Sequence, residues 1–498
     1  MSLAGLVCKT GIAGLAGEAC RRVLEPNRER HRNSGIGNIA VTRRDLFTLA
    51  LGCLPLQAQN AERPVYLSLA EARPVIEDFA GELPTGLDAP PSSASWLQWE
   101  TARDQQIRSR LKRGDADSVV NLVLFGTSFT ARPRLTAKQT ETAAVDSAAD
   151  ARLILARVQD FARAVLRPSR NERLQFVAAW LKESGADPSG PAADKRIAAV
   201  LLENILRVRR EQREYNRAIE AAKQEGGGAN FFVAMSSLYR NRGLSLDTSF
   251  RPNYAIERSL AEIKSAGLLG QVRRAAVIGP GLDFTDKHSG YDFYPVQTLQ
   301  PFALVDSLRR LRVAETSGPA VEIVDLSARV LNHVRLAVAQ ARKGSAYTVQ
   351  VPLDRDTRWL PDTTDYWRRF GSEIGTSAQA LSLPQGVEAR TRAVRIRPDV
   401  VRLLGSADLD VVVQHLPLPD DRKLDLVIAT NVLVYYEPFE QALALQNIAG
   451  MLRKGGLLLS NNALPEVEGV PLRPVGGTSL AYSEDPNDGD RVLWYQRA

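Results

Sequence analysis

Cysteine is almost missing from this 498-residue sequence, and the three present, Cys8, Cys20 and Cys53, all lie within the first 53 positions. The rest of the chain therefore forms no disulfide and offers no thiolate to a metal. Histidine is equally scarce. Past residue 60 only His288, His333 and His415 occur, with no spacing such as H-x-x-x-H, so neither a structural nor a catalytic metal is expected. No apolar run approaches the roughly 20 residues of a permanent membrane span, so no transmembrane segment is expected. A concentrated basic face is lacking too. Most of the net charge of +7 belongs to residues 1–44, where eight lysines and arginines stand against three glutamates. A near-neutral body lacks the clustered excess that tracks phosphates, which argues against a nucleic-acid partner. What is present is an ordinary globular mixture, 44% hydrophobic and 24% charged, in a chain too long for one core.

Residues 1–61 read as an address. Thr42-Arg43-Arg44-Asp45-Leu46-Phe47 leads into a short apolar stretch, Leu46 to Leu56, and then to Ala58 and Ala61. This resembles a bacterial twin-arginine export signal, which implies passage through the twin-arginine machinery and an extracytoplasmic location; a cytoplasmic protein is the alternative. Cys53 after Ala50-Leu51-Gly52 loosely resembles a lipoprotein box. The prefix ahead of the arginines is rich in Gly, Asn and Arg without an apolar period, so disorder is expected there, and a true start at Val41 is one reading of its length.

Residues 62–245 have helical periodicity and form the expected helical domain. Helices are predicted over Leu67 to Phe79 and Trp96 to Lys112, around a linker from Leu83 to Ser95. Ile154, Val158, Phe161 and Val165 mark a third, Glu172 to Glu183 a fourth, and Leu201, Ile205, Val208, Tyr215 and Ile219 a fifth. Gly226-Gly227-Gly228 should stop the last, at about 1 kcal/mol per glycine inside a helix. Trp96, Trp99 and Trp180 read as core rather than as a ligand site.

From residue 251 to 498 the pattern becomes α/β. Asn253 is the expected cap of a helix closed by Gly267. Ala275-Ala276-Val277-Ile278 suits a buried parallel strand, and Gly279-Pro280-Gly281 follows it as a turn a ligand can approach closely. Val321-Glu322-Ile323-Val324-Asp325 reads as a second strand whose terminal acid can accept hydrogen bonds from both hydroxyls of a ribose, or else cap a helix. A loop from Thr285 to Gln300, with Tyr291, Asp292, Tyr294 and Gln297, lies between. An insertion at about 343–404 carries Trp359, Tyr366 and Trp367. The third strand is expected to close at Gln414.

Next come Leu424-Asp425-Leu426-Val427-Ile428-Ala429-Thr430-Asn431-Val432-Leu433-Val434-Tyr435-Tyr436, a helix from Phe439 to Leu452, and Lys454-Gly455-Gly456 before the strand Leu457 to Ser460. With the earlier pieces, this resembles class I S-adenosylmethionine (SAM)-dependent methyltransferases, nearest to the chemotaxis glutamate methyltransferase (CheR-like) branch. Strands at Thr478 to Ser483 and Arg491 to Gln496 fit the family's terminal hairpin. The resemblance implies a Rossmann-like, seven-stranded, mostly parallel sheet with a terminal antiparallel hairpin. It also implies SAM as cofactor, contacted by Gly279, Gly281, Asp283, Asp325, Gln414 and Asn431, with Gln414 toward the adenine. The methyl acceptor, protein or small molecule, is not legible. An acceptor that must lose a proton would need a base, for which Tyr436, Glu437 and His288 are candidates. The rival readings are a catalytically silent ligand- or protein-binding module and a nicotinamide oxidoreductase. The latter wants G-x-G-x-x-G, which Phe284 breaks.

Overall fold

Serine caps begin the first two helices of the described chain. In the computed structural model these described residues are 63–135, 148–224, 243–244, 247–248, 250–285, 292, 295–354, 359–382, 390–485 and 488–498. The export-like leader with Arg43 and Arg44, all three cysteines, Gly226-Gly227-Gly228, His288, Tyr291 and Tyr294 lie outside them. After β1 (Val65–Tyr66), Ser68 and Glu71 form a capping box that starts α1 (Leu69–Asp78). Ser92 and Ser95 do the same for α2 (Ser93–Phe125). This helix runs well past Lys112. Its last turns, Val119 to Phe125, are buried all round and apolar except for Asn121, so they carry no helical period to read.

Helices α3 (Ala148–Val165), α4 (Glu172–Glu183) and α5 (Ala193–Gln224) complete the helical region. Helix α4 has its expected bounds because Asn171 Oδ1 accepts the N–H groups of Arg173 and Leu174. Trp96, Trp99 and Trp180 are all buried in core.

Helix α6 (Pro252–Ser265) corrects one expectation. Its cap position is Arg251, and Asn253 lies buried inside the first turn, its Nδ2 donating back to the Phe250 carbonyl at 2.8 Å. Gly267 does follow the helix, at φ +73°. The chain continues through β2 (Arg274–Ile278), α7 (Gln300–Arg310), β3 (Ala320–Asp325) and α8 (Ala328–Arg342). The insertion then folds as β4 (Tyr347–Asp354), α9 (Pro361–Arg369), β5 (Gly375–Ala378), β6 (Arg390–Ile396) and α10 (Pro398–Val401), with its strands in a small antiparallel sheet. The last stretch is β7 (Leu404–Asp408), β8 (Gln414–His415), β9 (Leu424–Ala429), α11 (Pro438–Met451), β10 (Leu452–Ser460), β11 (Leu472–Ala481) and β12 (Gly489–Arg497).

The main sheet has seven strands in the order β11-β12-β10-β9-β2-β3-β7. Five run parallel, and β12 enters antiparallel between β10 and β11. The fold is thus α/β and Rossmann-like, mostly parallel, with a terminal antiparallel hairpin. Its third parallel strand is β7, ending at Asp408. Gln414 instead lies in β8, which pairs with β1 outside the sheet. Strand alternation divides the core. Ala275 and Val277 face one apolar cluster, and Ala276 and Ile278 face the other. Helix α2 contributes Trp96, Trp99 and Ile107 to the second cluster and Val119 to Phe125 to the first, so it passes from one face of the sheet to the other. Among the described residues no helix is long and apolar enough to cross a membrane.

Candidate functional site

In an open parallel sheet the connections on either side of the first strand diverge, leaving a crevice beyond the carboxyl ends where ligands bind. Here that point falls between β2 and β9. A cleft of about 100 Å³ opens there. Gly279 and Gly281, after β2, line it in left-handed conformations at φ +61° and +64°. Gly279 donates to the Val324 carbonyl at 2.8 Å. A Cβ on it would lie 2.7 Å from Val432 Cγ2, so glycine is needed for both conformation and space.

Asp325, at the end of β3, lines the same cleft. Its Oδ1 accepts the Ser327 N–H at 2.7 Å. Burial pushes its carboxyl up to about 6; the N–H groups of Ser327, Gly281 and Leu326 pull the other way, and Asp408 adds to the rise. Asp325 thus turns the chain toward Ser327, the cap position of α8, without capping the helix itself, and faces the cleft. Leu409 and Val411 enter from beyond β7, and Asn431, Val432, Tyr435 and Tyr436 from beyond β9. Asn431 sits at φ +58°, held by Asn461, whose Oδ1 accepts its N–H at 2.8 Å and whose Nδ2 donates to its Oδ1 at 2.6 Å.

Four expectations need correction. Asp283 faces away from the cleft, into a hollow beside the insertion, where its N–H donates to the Gln297 carbonyl at 2.6 Å and its Oδ2 accepts from Gln297 Nε2 at 2.9 Å. Gln414 is buried away from the cleft, its Oε1 accepting the Asp410 N–H at 3.0 Å. Glu437 occupies the cap of α11, its N–H donating to Glu440 Oε2 at 2.8 Å, and does not line the cleft. Tyr436 does line it. Burial raises its phenol well above the ordinary value, however, which keeps it protonated, so that it can donate a hydrogen bond but does not serve as a base.

Sequence reasoning missed the cleft's other wall. Leu111 of α2 and Leu244 line it from the helical side. Arg110 Nη1 donates to the Tyr435 carbonyl at 3.0 Å, and its guanidinium lies 6.0 Å from the centre of the Tyr436 ring. Asp410, behind the rim, is fully buried and its carboxyl is pushed up to about 7 by that burial. Its Oδ1 accepts the Val412 N–H at 3.0 Å, while Oδ2 finds no hydrogen-bond partner among the described residues. The helix expected over Trp96 to Lys112 carried no mark of which neighbours it would cover.

No family model and no curated protein sequence matches the chain. Among solved structures it overlaps the N-methyltransferase NodS from Bradyrhizobium japonicum WM9 at 13% identity, covering 50% of this chain and 95% of that one, with a TM-score of 0.24. Magnesium protoporphyrin IX methyltransferase (ChlM) from Synechocystis PCC 6803 with bound SAM overlaps at 11% identity, over 56% and 89% of the two chains, with a TM-score of 0.23. TrmN from Thermus thermophilus overlaps at 12% identity, over 50% and 52%, with a TM-score of 0.24. With overlaps this loose, the fold stands on the chain's own strand order.

Proposed function

We propose that the cleft binds SAM and that the protein is a SAM-dependent methyltransferase acting by in-line displacement on an acceptor still to be identified. The observation that carries this reading is the meeting of Gly279, Gly281 and Asp325 at one crevice, at the divergence point between β2 and β9. The glycines leave room for close ligand approach, and Asp325 offers a carboxylate to paired hydroxyls. When bound, SAM supplies a methyl group on a sulfonium, an electrophile that needs no activation. What the chain contributes is orientation and exclusion of water. Asn431 is pre-set by Asn461, Tyr436 is kept protonated, and Leu111, Val411 and Val432 supply apolar walls. A carboxylate acceptor would need no base. A hydroxyl or amine acceptor would, and His288 is the remaining candidate from the sequence.

Calorimetric titration of the full chain with SAM and with NADH tests this. SAM binding and transfer of its methyl group to an acceptor fit the proposal. SAM binding without transfer to any of a broad acceptor panel favours a silent binding module, and NADH binding alone an oxidoreductase. Export through the twin-arginine route is a separate proposal that rests on Arg43 and Arg44. Fractionation of the wild type and of Arg43→Lys/Arg44→Lys tests it; equal, uncleaved cytoplasmic retention of both would count against it.

A further inference from the structure

Helix α2 crosses the carboxyl edge of the sheet like a strap, and its fastenings follow the strand ends. Arg103 Nε meets Glu440 Oε1 of α11 at 2.9 Å. Arg110 donates to the loop after β9, and Leu111 lines the cleft. Asp115 lies 3.8 Å from Arg329 of α8. The middle fastening is Arg108. Its Nε donates to Asp104 Oδ1 at 2.7 Å and its Nη1 to Asp408 Oδ1 at 2.7 Å. Asp104 is itself buried and accepts the Tyr66 hydroxyl at 2.9 Å through its other oxygen. Tyr66 belongs to β1, which pairs with β8. One edge of the Arg108 guanidinium is thus committed to α2 and the other is aimed at the last residue of β7. Asp408 is half exposed, and Leu409, the next residue, lines the cleft.

We propose that Arg108 is a positioning residue for the cleft: by fastening α2 to Asp408 it fixes the rim 408–411 and retains the nucleoside end of a bound ligand, which leaves when the strap lifts. This rests on the proposed S-adenosyl site. Fixing the rim requires no ligand, so the two can fail separately. An ion pair with one partner half exposed is partly screened by water and salt, which sets a modest effect.

The test uses the full chain and S-adenosylhomocysteine as probe. Arg108→Gln, which keeps much of the side chain's packing without its charge, should release the probe about three- to tenfold faster. In the ligand-free protein its amides at 408–411 should exchange with solvent faster than in the wild type. Arg108→Lys should restore part of both. Asp408→Ala should reproduce the loss of rim protection, and adding Arg108→Gln to it should change protection no further, because the two act through one contact. Raised salt should bring wild-type release toward the Arg108→Gln rate. Unchanged release and unchanged exchange in Arg108→Gln, or additive losses in the double variant, would overturn the inference. A wild type that binds no S-adenosylhomocysteine yet loses rim protection in Arg108→Gln supports the strap and overturns the S-adenosyl reading.

Discussion

Asp325 faces opposing demands from folding and from binding. Its folded carboxyl is pushed up to about 6, above the ordinary value, so the fold prefers the protonated form. Its contribution to the stability of the free protein is therefore fully present below the unfolded value near 4 and is lost as pH rises toward 6. Accepting two ribose hydroxyls requires the ionised form. S-adenosylhomocysteine should bind about tenfold more weakly at pH 5 than at pH 8, where Asp325 is ionised. Asp325→Ala should weaken binding at pH 8 by about 2–4 kcal/mol, since hydrogen bonds to a charged acceptor contribute about 1.5–3 kcal/mol each and overlap in effect. The same substitution should not lower the melting temperature of the free protein at pH 8. A large fall with unchanged affinity would make Asp325 a structural residue alone. Gly279→Ala acts differently. It adds about 1–2 kcal/mol of left-handed strain to the contact with Val432, so melting temperature and binding should fall together. Adding Val432→Ala should recover part of the melting temperature, by removing the contact while leaving the strain.

Among the elements, legibility followed how far local pattern and tertiary environment agree. Helix α4 was readable residue by residue because Asn171 caps it and its apolar face repeats. Strand β2 was readable because a strand covered on both faces reads as an apolar run, here Ala275 to Ile278. Strand β7 was not. Its sequence is Leu404-Gly405-Ser406-Ala407-Asp408, small at the centre because a Cβ on Gly405 would lie 2.2 Å from Glu322 Oε2 of β3. The apolar Val411-Val412-Val413 beyond it looks more like a strand and is a turn. That displacement also misplaced Gln414. The insertion's anchorage was equally hidden, because its partners lie about 65 residues apart. Asp306 of α7, fully buried, pairs with Arg310 and accepts the N–H groups of Gly371 at 2.9 Å and Glu373 at 3.0 Å. Asp306→Ala leaves two N–H groups without an acceptor and Arg310 with Glu257 as its remaining carboxylate, so it should cost about 2–4 kcal/mol in denaturant unfolding. Asp365→Ala, which breaks an exposed pair with Arg368, should stay within about 0.5 kcal/mol. Equal effects would mean that Asp306 is not the anchor.

For the whole molecule, the two apolar clusters determine what unfolds together. One joins Val119, Leu122, Phe161 and Leu201 of the helical region to Ile256, Val277 and Ile323 of the α/β region. The other joins Leu67, Trp96 and Ile107 to Ile278, Val427 and Phe439, with Trp99 edge-on to Phe439 at 5.6 Å between ring centres. Separating the regions would expose both clusters at once, at about 25 cal/mol per Å² of apolar surface, so neither half keeps its own closed core. The six tryptophans report on this directly. Trp96, Trp99 and Trp180 belong to the helical region, Trp359, Trp367 and Trp494 to the α/β region, and all are buried. Urea unfolding followed through variants that retain only one set of three, each replaced elsewhere by Phe, should give the same midpoint as circular dichroism. A fragment of residues 251–498 should show weakened packing, with dye-accessible apolar surface where Val119 to Phe125 and Trp96 had been. Two resolved midpoints, or a 251–498 fragment with full native cooperativity, would mean that the helical region is an appended domain. A strap that is part of the cleft wall requires the opposite, because α2 can hold the rim at Asp408 only if its two ends are anchored in the cores on either face of the sheet.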